Sequence, residues 1–362
     1  MKFRLAPALL CLVVAACAQA SPSPSATDAS ASVSPLPPAA TETPTATPAP
    51  SEPPAAGWRQ LEAAGPAARE DHTWTVTPDG ATAYLFGGRG SDGAAFADLW
   101  AYDLATDAWA QVNAQGPAAR FGHSAAWVAG VGLVIFGGQA GADFFNDLWA
   151  FDPASEAWTQ LPSAGDVPVA RYGSCAGVGP DGRFWISHGF TSENARFADT
   201  RAYDFAIGSW TDETVLADRP IERCLHGCWW TDDGAFVLYA GQTTGVPALG
   251  DLWRLSRGER PGTNRWSEVT GVQLPPARNL YAAARWGPGT VVFGGRGADD
   301  SYLADAWLLT DDGTVTDLGL SGPSGRSGAE LVPDAQHGRL LLFGGRNADG
   351  ALHELWELRL PE

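Results

Sequence analysis

The chain has 362 residues, of which 45% are apolar, and it contains 43 glycines and 16 tryptophans. This length allows a large buried core, and the glycine and tryptophan content favours many short strands and turns over helices. The formal net charge is −18, which excludes nucleic acid from the expected partners because a phosphate-binding surface needs the opposite sign.

The first 16 residues predict a signal peptide. Lys2 and Arg4 give a positive start, and an apolar run from Leu5 to Val14 follows that is too short to span a bilayer as a helix. The run leads into Val-Ala-Ala-Cys17, which resembles the lipobox of bacterial lipoproteins. That resemblance implies lipidation of Cys17 and a place in the bacterial cell envelope, anchored to the membrane and facing the extracytoplasmic side. The alternative is an ordinary secretory signal cleaved near Ala20.

Residues 17–56 predict a disordered tether that begins at the lipidated cysteine. Proline, serine, threonine and alanine dominate this segment and large apolar residues are nearly absent. Such a composition cannot offset the entropy lost on ordering. Residues 57–362 are then the folded domain.

The folded domain contains six copies of one repeat. Each copy has a glycine pair or a variant of one, and the second glycines are 50 to 54 residues apart. The pairs are Gly87-Gly88, Gly137-Gly138, His188-Gly189, Ala240-Gly241, Gly294-Gly295 and Gly344-Gly345. An arginine precedes each pair, and an acidic residue beside tryptophan follows most of them, as in "DLW" and "ELW". A period of this length indicates a repeat architecture.

Each period contains four short apolar or alternating runs, which in the second copy are "RFGHSAAWV", "GLVIFGG", "DLWAFD" and "EAWTQL". Four strands per unit at this period predict a blade of a β-propeller. The pattern resembles the Kelch repeat across residues 57–362. We therefore expect an all-β, six-bladed Kelch-type propeller with four antiparallel strands in each blade.

The tryptophans of the outer strands are expected to fill the wedges between blades, lying flat against the glycine pairs, which lack Cβ atoms. Blade 5 has "TVTDLGL" where this tryptophan belongs, so Val315 or Leu318 must fill that wedge.

The last repeat lacks its fourth strand before the sequence ends at Glu362. A matching segment stands before the first arginine, since Gly57 to Arg69 parallels Ala108 to Arg120. We predict that Trp58 to Leu61 forms the outer strand of the last blade and closes the ring, which removes exposed sheet edges.

Three cysteines lie in the folded domain: Cys175, Cys224 and Cys228. Cys175 is four residues beyond its repeat arginine and Cys228 is five beyond its own, so opposite parity on neighbouring strands favours a Cys175–Cys228 disulfide. Cys224 and Cys228 on one extended strand are too far apart to bond. We expect no metal site and no cofactor, because no CxxC pair is present.

The loop before the first strand of each blade and the loop between its second and third strands open on one face, which we call the loop face. Arginines, acids and aromatics there suit a peptide or sugar, because they combine bidentate donors with stacking surfaces. The candidate binding residues are Arg69, Arg120, Arg171, Arg223, Arg278, Arg326, Arg89, Arg296, Arg346, Asp143, Phe144, Asp299 and Tyr302. The alternative is that the repeat arginines pair with nearby acids or backbone carbonyls and are structural.

Enzyme signatures such as GxSxG, HExxH and the P-loop do not occur in the sequence. His72, His123 and His226 each follow a repeat arginine by three, a position more typical of a hydrogen-bonded strand residue than of a metal ligand. We expect a monomeric, membrane-tethered binding or scaffold protein that recognises a protein segment or a glycan through the loop face. The Kelch resemblance leaves two alternatives, a carbohydrate-active enzyme similar to an epimerase or mutarotase, and a structural envelope protein with no small ligand.

Overall fold

The computed structural model describes residues 55–62, 64–192, 195–258 and 262–361. The chain divides into two units, Met1–Glu52 and Pro53–Glu362, and every described residue belongs to the second. The predicted signal peptide, Cys17 and the tether as far as residue 54 lie outside the described residues. Within the described ranges, no helix has the length and hydropathy of a bilayer-spanning segment.

The described chain forms six antiparallel sheets, one for each repeat, so the predicted six-bladed propeller is confirmed. The first strand, β1 (Gly57–Leu61), belongs to blade 6. Blade 1 contains β2 (Thr73–Val76), β3 (Thr82–Phe86), β4 (Leu99–Asp103) and β5 (Ala108–Val112). Blade 2 contains β6 (Ser124–Val128), β7 (Gly132–Phe136), β10 (Leu148–Asp152) and β11 (Ala157–Gln160), with a loop hairpin of β8 (Gln139–Ala140) and β9 (Asp143–Phe144). Blade 3 contains β13 (Cys175–Val178), β14 (Phe184–Phe190), β15 (Arg196–Asp204) and β16 (Ser209–Asp212), and the short β12 (Ala164–Gly165) pairs in parallel with β16.

The remaining blades follow the same order. Blade 4 contains β17 (Gly227–Trp230), β18 (Phe236–Thr243), β19 (Val246–Ser256) and β20 (Arg265–Glu268), extended by β21 (Arg278–Asn279) and β24 (Arg296–Gly297). Blade 5 contains β22 (Ala282–Trp286), β23 (Gly289–Phe293), β25 (Ala306–Thr310) and β26 (Val315–Asp317). Blade 6 contains β27 (Ser327–Asp334), β28 (Arg339–Asn347), β30 (Leu355–Arg359) and β1, with β29 (Gly350–Ala351) beside β28 and a 3₁₀ turn at Ala335–His337.

Ring closure occurs in blade 6, as predicted. The strand β1 pairs antiparallel with β30, and Gly57 lies opposite Arg359 while Leu61 lies opposite Leu355. The first segment of the folded domain therefore completes the last sheet and covers its outer edge.

The core consists of six apolar clusters, each shared by two neighbouring blades. Second strands such as β7 are buried along their whole length because both faces of the blade pack against neighbours. In the five blades that have one, the outer-strand tryptophan lies in the wedge shared with the preceding blade, as Trp158 does between blades 1 and 2. In blade 5 the tryptophan is missing, and Val315 packs in the corresponding wedge.

The glycine pairs do not support the tryptophan rings, which corrects the sequence-based expectation. Both residues of a pair have positive φ, 70° at Gly137 and 96° at Gly138. A Cβ on Gly138 would lie 2.9 Å from the Cβ of His123, and its N–H donates to the carbonyl of Arg171 in the next blade at 2.8 Å. The pairs are therefore needed for a left-handed turn and for close backbone contact between blades. The rings instead lie over other glycines, such as Gly116 beneath Trp158.

A closed ring of six backbone hydrogen bonds surrounds the propeller axis. Each bond joins the residue two positions after one repeat arginine to its counterpart in the neighbouring blade, at 2.7 to 3.0 Å. The six residues are Asp71, Gly122, Gly173, Leu225, Leu280 and Gly328, and all have φ between 51° and 63°. We call this feature the axial ring. It fixes the blades to one another at the centre of the molecule.

A disulfide joins Cys175 in β13 to Cys228 in β17, the pair that strand parity favoured. Their Cα atoms are 5.7 Å apart, and the bond links the innermost strands of blades 3 and 4. Cys224 is a free thiol and is buried.

Candidate functional site

The six repeat arginines lie inside the propeller, where each is at most 1% exposed. In blade 2 the guanidinium of Arg120 donates to both carboxylate oxygens of Asp147 at 2.6 and 3.0 Å and to the carbonyl of Gly137 at 2.9 Å. The Nε atom donates to the carbonyl of Ala118 at 3.0 Å. A buried charge is stable in this setting because each donor has an acceptor.

The same arrangement recurs in every blade. The ion pairs are Arg69–Asp98, Arg120–Asp147, Arg171–Asp199, Arg223–Asp251, Arg278–Asp305 and Arg326–Glu354. In five blades the acid also accepts the indole N–H of the tryptophan two residues later, as Asp147 does from Trp149 at 2.7 Å. The Arg, glycine-pair and "DLW" elements of the repeat thus form one hydrogen-bonded unit.

This geometry corrects the expectation that the six repeat arginines line the rim for ligand contact. Burial alone would raise the pKa of Asp147, but the hydrogen bonds and charge of Arg120 outweigh burial and hold that pKa below its ordinary value. Each pair is satisfied within its own blade. The six repeat arginines therefore pair with nearby acids and backbone carbonyls, which is the structural role given above as the alternative.

The loop face contains a cavity of about 580 Å³, which we call the loop-face pocket. The structure brings together there four of the predicted residues, Arg89, Arg296, Tyr302 and Arg346. Arg89, Arg296 and Arg346 each come directly after the glycine pair of their blade, in blades 1, 5 and 6, and Arg346 lies within β28. Leu225 and Leu280 of the axial ring also line this cavity. Its volume suits a small ligand or a short peptide segment.

Acidic side chains hold the pocket arginines in place. Glu70, which is 2% exposed, accepts from Arg89 at 3.1 Å and from Arg346 at 3.0 Å. The Arg296 guanidinium pairs with Asp300 and stacks 4.2 Å from the centroid of the Tyr302 ring. The side chains of Arg89 and Arg346 are 31% and 36% exposed, so these cations remain accessible to a ligand. Alternating donors, acceptors and one aromatic ring suit a polar ligand rather than a simple anion.

The other predicted loop-face residues lie outside this pocket. Asp143 and Phe144 are in β9 of the blade 2 hairpin, and the Phe144 ring packs edge-on against Phe190 at 5.8 Å. Asp299 shapes its own loop, since its carboxylate accepts from the backbone N–H and hydroxyl of Ser301.

A smaller cavity of about 110 Å³ lies on the propeller axis, and Leu225 and Leu280 line both cavities. Asp71 and Glu330 face this axial cavity. Burial, reinforced by the charge of Glu70, raises the pKa of Asp71 to about 6. Burial, reinforced by the charge of Asp71, raises the pKa of Glu330 to about 8. One carboxylate oxygen of Asp71 is buried without a hydrogen-bond partner, while the other accepts from the Tyr172 hydroxyl at 3.1 Å.

The three repeat histidines also line the axial cavity. Burial lowers their pKa values, to about 3 for His123, so they are neutral at physiological pH. Nε2 of His123 is 2.8 Å from the Thr73 hydroxyl of the preceding blade. Among the described residues, no group of three or more His, Cys, Asp and Glu side chains is arranged to hold a metal ion.

A family model matches this architecture. Residues 55–241, about half of the chain, match the KLHDC2/KLHL20/DRC7 Kelch-repeats domain. The chain belongs to this Kelch family. A solved structure titled "Structure of YjhT" is similar to the Kelch propeller, with a TM-score of 0.63 and 17% identity over 80% of this chain and 95% of that one. At that identity the likeness shows the fold alone.

Curated relatives of the Kelch propeller have diverse names. This chain is 30% identical over 197 residues to the tRNA wybutosine-synthesizing protein 4 of Emericella nidulans, and the match covers 48% of this chain and 17% of that protein. It is 27% identical over 237 residues to the Kelch domain-containing protein 10 of Xenopus laevis, covering 61% and 54%. It is 36% identical over 99 residues to the Rab9 effector protein with kelch motifs of Xenopus laevis, covering 26% of each. The chain thus spans 17% and 54% of the first two relatives, both of which extend well beyond the matched region.

Sequence reasoning missed Glu70, Asp71 and Glu330, the carboxylates of the pocket wall and the axial cavity. A signal was available for the position of Asp71. The residue two places after the repeat arginine is glycine in blades 2, 3 and 6, which indicates a left-handed backbone near the axis in this Kelch propeller.

Proposed function

We propose that this Kelch propeller is a membrane-tethered, extracytoplasmic binding protein that recognises a protein segment or a glycan through the loop-face pocket. The observation that carries the proposal is the contrast in arginine placement. The repeat arginines are enclosed and satisfied, whereas Arg89, Arg296 and Arg346 surround an open cavity of about 580 Å³. These three arginines are placed for recognition because they lie at the mouth of a cavity, and the side chains of Arg89 and Arg346 remain about one third exposed.

The N-terminal sequence supports the tethered location. The positive start, the apolar run and Cys17 occur in the order that lipidation requires, and the tether of residues 17–56 would hold the propeller away from the bilayer. A Cys17→Ser variant expressed in a bacterial host should move from the membrane fraction to a soluble or culture fraction. If Cys17→Ser stays with the membrane, lipid anchoring at this residue is wrong.

Binding is tested with a peptide array and a glycan array, each probed with the purified chain. An Arg296→Gln/Arg346→Gln variant should lose the bound spots, because two cations of the pocket are removed while the buried Glu70 keeps Arg89 as its partner. The matched control is Arg265→Gln, which changes an exposed arginine on the outer strand of blade 4. Equal binding by the pocket variant and the wild type would show that the ligand contacts another surface.

The second candidate function is a carbohydrate-active enzyme of the epimerase or mutarotase type. The observation that favours it is the pair Asp71 and Glu330, whose pKa values of about 6 and about 8 suit proton transfer near neutral pH. Asp71→Asn and Glu330→Gln would then each abolish interconversion of sugar anomers, measured by NMR, while leaving sugar binding in place. Unchanged interconversion in both variants would exclude this candidate.

A further inference from the structure

Three bulky aliphatic side chains are exposed on the loop face beside the pocket. Val169, Ile221 and Val246 are 55%, 50% and 40% exposed. Val169 and Ile221 stand two residues before the repeat arginines of blades 3 and 4, where blades 1 and 2 have alanine at positions 67 and 118. Their carbonyls accept from the arginine Nε atoms at 3.0 and 3.2 Å, which fixes this backbone at the rim. Large apolar side chains fixed at a rim are typical of an interface.

The Arg196 side chain lies between the Phe190 ring of blade 3 and the turn that precedes Val246 in blade 4. The guanidinium of Arg196 lies 5.6 Å from the centroid of the Phe190 ring. Its NH1 atom donates to the hydroxyl of Thr244 at 3.0 Å, two residues before Val246. We call the surface formed by Val169, Phe190, Arg196, Arg219, Ile221 and Val246 the blade 3–4 patch. Aromatic residues and arginine are enriched at protein interfaces and in their hot spots.

The two cations of the patch differ from those of the pocket. Arg196 and Arg219 line a cleft of about 540 Å³ together with the exposed Glu222, yet neither forms an ion pair with a carboxylate among the described residues. Asp199 also lines the cleft, and its carboxylate forms ion pairs with Arg171 and Arg201. In a chain with a formal net charge of −18, two arginines whose hydrogen bonds within the described residues go to a hydroxyl and a backbone carbonyl favour a partner that carries negative charge.

We propose that the blade 3–4 patch docks a segment of another protein that carries bulky apolar side chains next to a carboxylate. The proposal rests on the proposed function and names its ligand as a polypeptide. A glycan offers little aliphatic surface to cover Val169, Ile221 and Val246. The tether of this chain does not fit, because Val33 and Leu36 are its main large apolar residues. Val246 is followed by Pro247, which lines the loop-face pocket, so the patch borders the pocket at this point.

The test selects 12-residue peptides from a random displayed library against the full chain, then measures fluorescein-labelled copies by anisotropy. Selected peptides should be enriched in Leu, Ile or Phe together with Asp or Glu. A Val169→Ser/Ile221→Ser/Val246→Ser variant should weaken binding by about tenfold or more, as truncation of central interface residues does. An Arg196→Gln/Arg219→Gln variant should weaken it by about fivefold and reduce its dependence on salt.

Two matched controls change similar residues elsewhere. Ile207→Ser alters an aliphatic side chain that is 69% exposed in the turn between β15 and β16, and Arg265→Gln alters an exposed arginine on β20. Both should bind as the wild type does, and all variants should melt within a few degrees of it, because every changed side chain is at least partly exposed.

Several outcomes would overturn the inference. Enrichment of basic peptides, or of peptides without apolar residues, contradicts the chemistry of the patch. Binding that survives both patch variants but is lost in Arg296→Gln/Arg346→Gln contradicts the patch and leaves the proposed function standing. Binding that survives all of these variants contradicts both proposals. Failure to select any peptide, with a positive glycan array, assigns the pocket to sugars and removes the patch.

Discussion

The arginines of the interior and the arginines of the loop face illustrate two uses of one residue type. Arg120 is enclosed and donates to a carboxylate, a glycine carbonyl and the chain two residues before it. Arg346 is 36% exposed and has an ion pair with one acid at the pocket wall. The first arrangement recurs six times and builds the blade, whereas the second varies from blade to blade. Regular repetition therefore marks the structural residues, and departure from it marks the candidates for recognition.

The largest expected difference between these regions is in the cost of removing the cation. Arg120→Ala leaves Asp147 without its partner in a site that is largely closed to water, and breaking a buried pair costs about 3–5 kcal/mol. Arg346→Gln should cost less, because the buried Glu70 keeps its hydrogen bond from Arg89. Urea unfolding of the two variants gives the comparison. Similar losses would mean that the interior pairs are no more structural than those of the pocket.

Two glycines of blade 2 allow a similar comparison, between Gly141 in a loop with open space around it and Gly138, which has close neighbours. Gly141 has φ of 57° with open space around its Cβ position, so Gly141→Ala should cost about 1–2 kcal/mol from the left-handed backbone alone. Gly138 has φ of 96°, and its Cβ would meet His123 at 2.9 Å and the carbonyl of Phe121 at 3.0 Å. Gly138→Ala should cost about 1–3 kcal/mol more because the clash is added. Equal melting temperatures for the two variants would contradict the close contact between Gly138 and the segment that leads into β6 of the same blade.

The third comparison is a pH dependence that arises at the axis. Because the pKa of Glu330 is raised from 4.5 to about 8 in the folded protein, its stabilising contribution is present below pH 4.5 and is lost as the pH rises through about 8. Glu330→Gln removes this loss, so its melting temperature should gain on that of the wild type between pH 5 and pH 8.5. Asp349→Asn on the exposed loop of blade 6 is the control and should show no such gain. If the melting temperatures of Glu330→Gln and the wild type change equally with pH, the raised pKa of Glu330 is wrong.

Much of the fold could be predicted from the sequence because the information is periodic. Four glycine pairs and two variants of them predict the number of blades, and the early segment that matches an outer strand predicts the pairing of β1 with β30. The relation of Cys175 to Cys228 followed from counting residues along two equivalent strands. Each of these inferences needs only a position within the repeat, which the spacing supplies.

The candidate site was harder to predict because spacing gives a position along a strand but not the depth of a side chain. The repeat arginines and the loop arginines have the same chemistry in the sequence, yet one group points into the blade. One signal could have separated them: every repeat has an acid 27 to 29 residues after its arginine, a fixed pairing that the loop arginines lack. The carboxylates Asp71 and Glu330 approach the axial cavity from blades 1 and 6, a proximity that no local pattern encodes.

The axial ring has a consequence for how this propeller could acquire new specificity. Its main-chain bonds hold the blades at the axis whatever the side chains are, while Leu225 and Leu280 line both the loop-face pocket and the axial cavity. Both leucines have left-handed backbones that glycine adopts with less strain. Replacing both leucines with glycine would extend the loop-face pocket toward the axial cavity without altering any blade. Substitution of these two residues would therefore change a ligand's access from the loop-face pocket to Asp71 and Glu330 of the axial cavity.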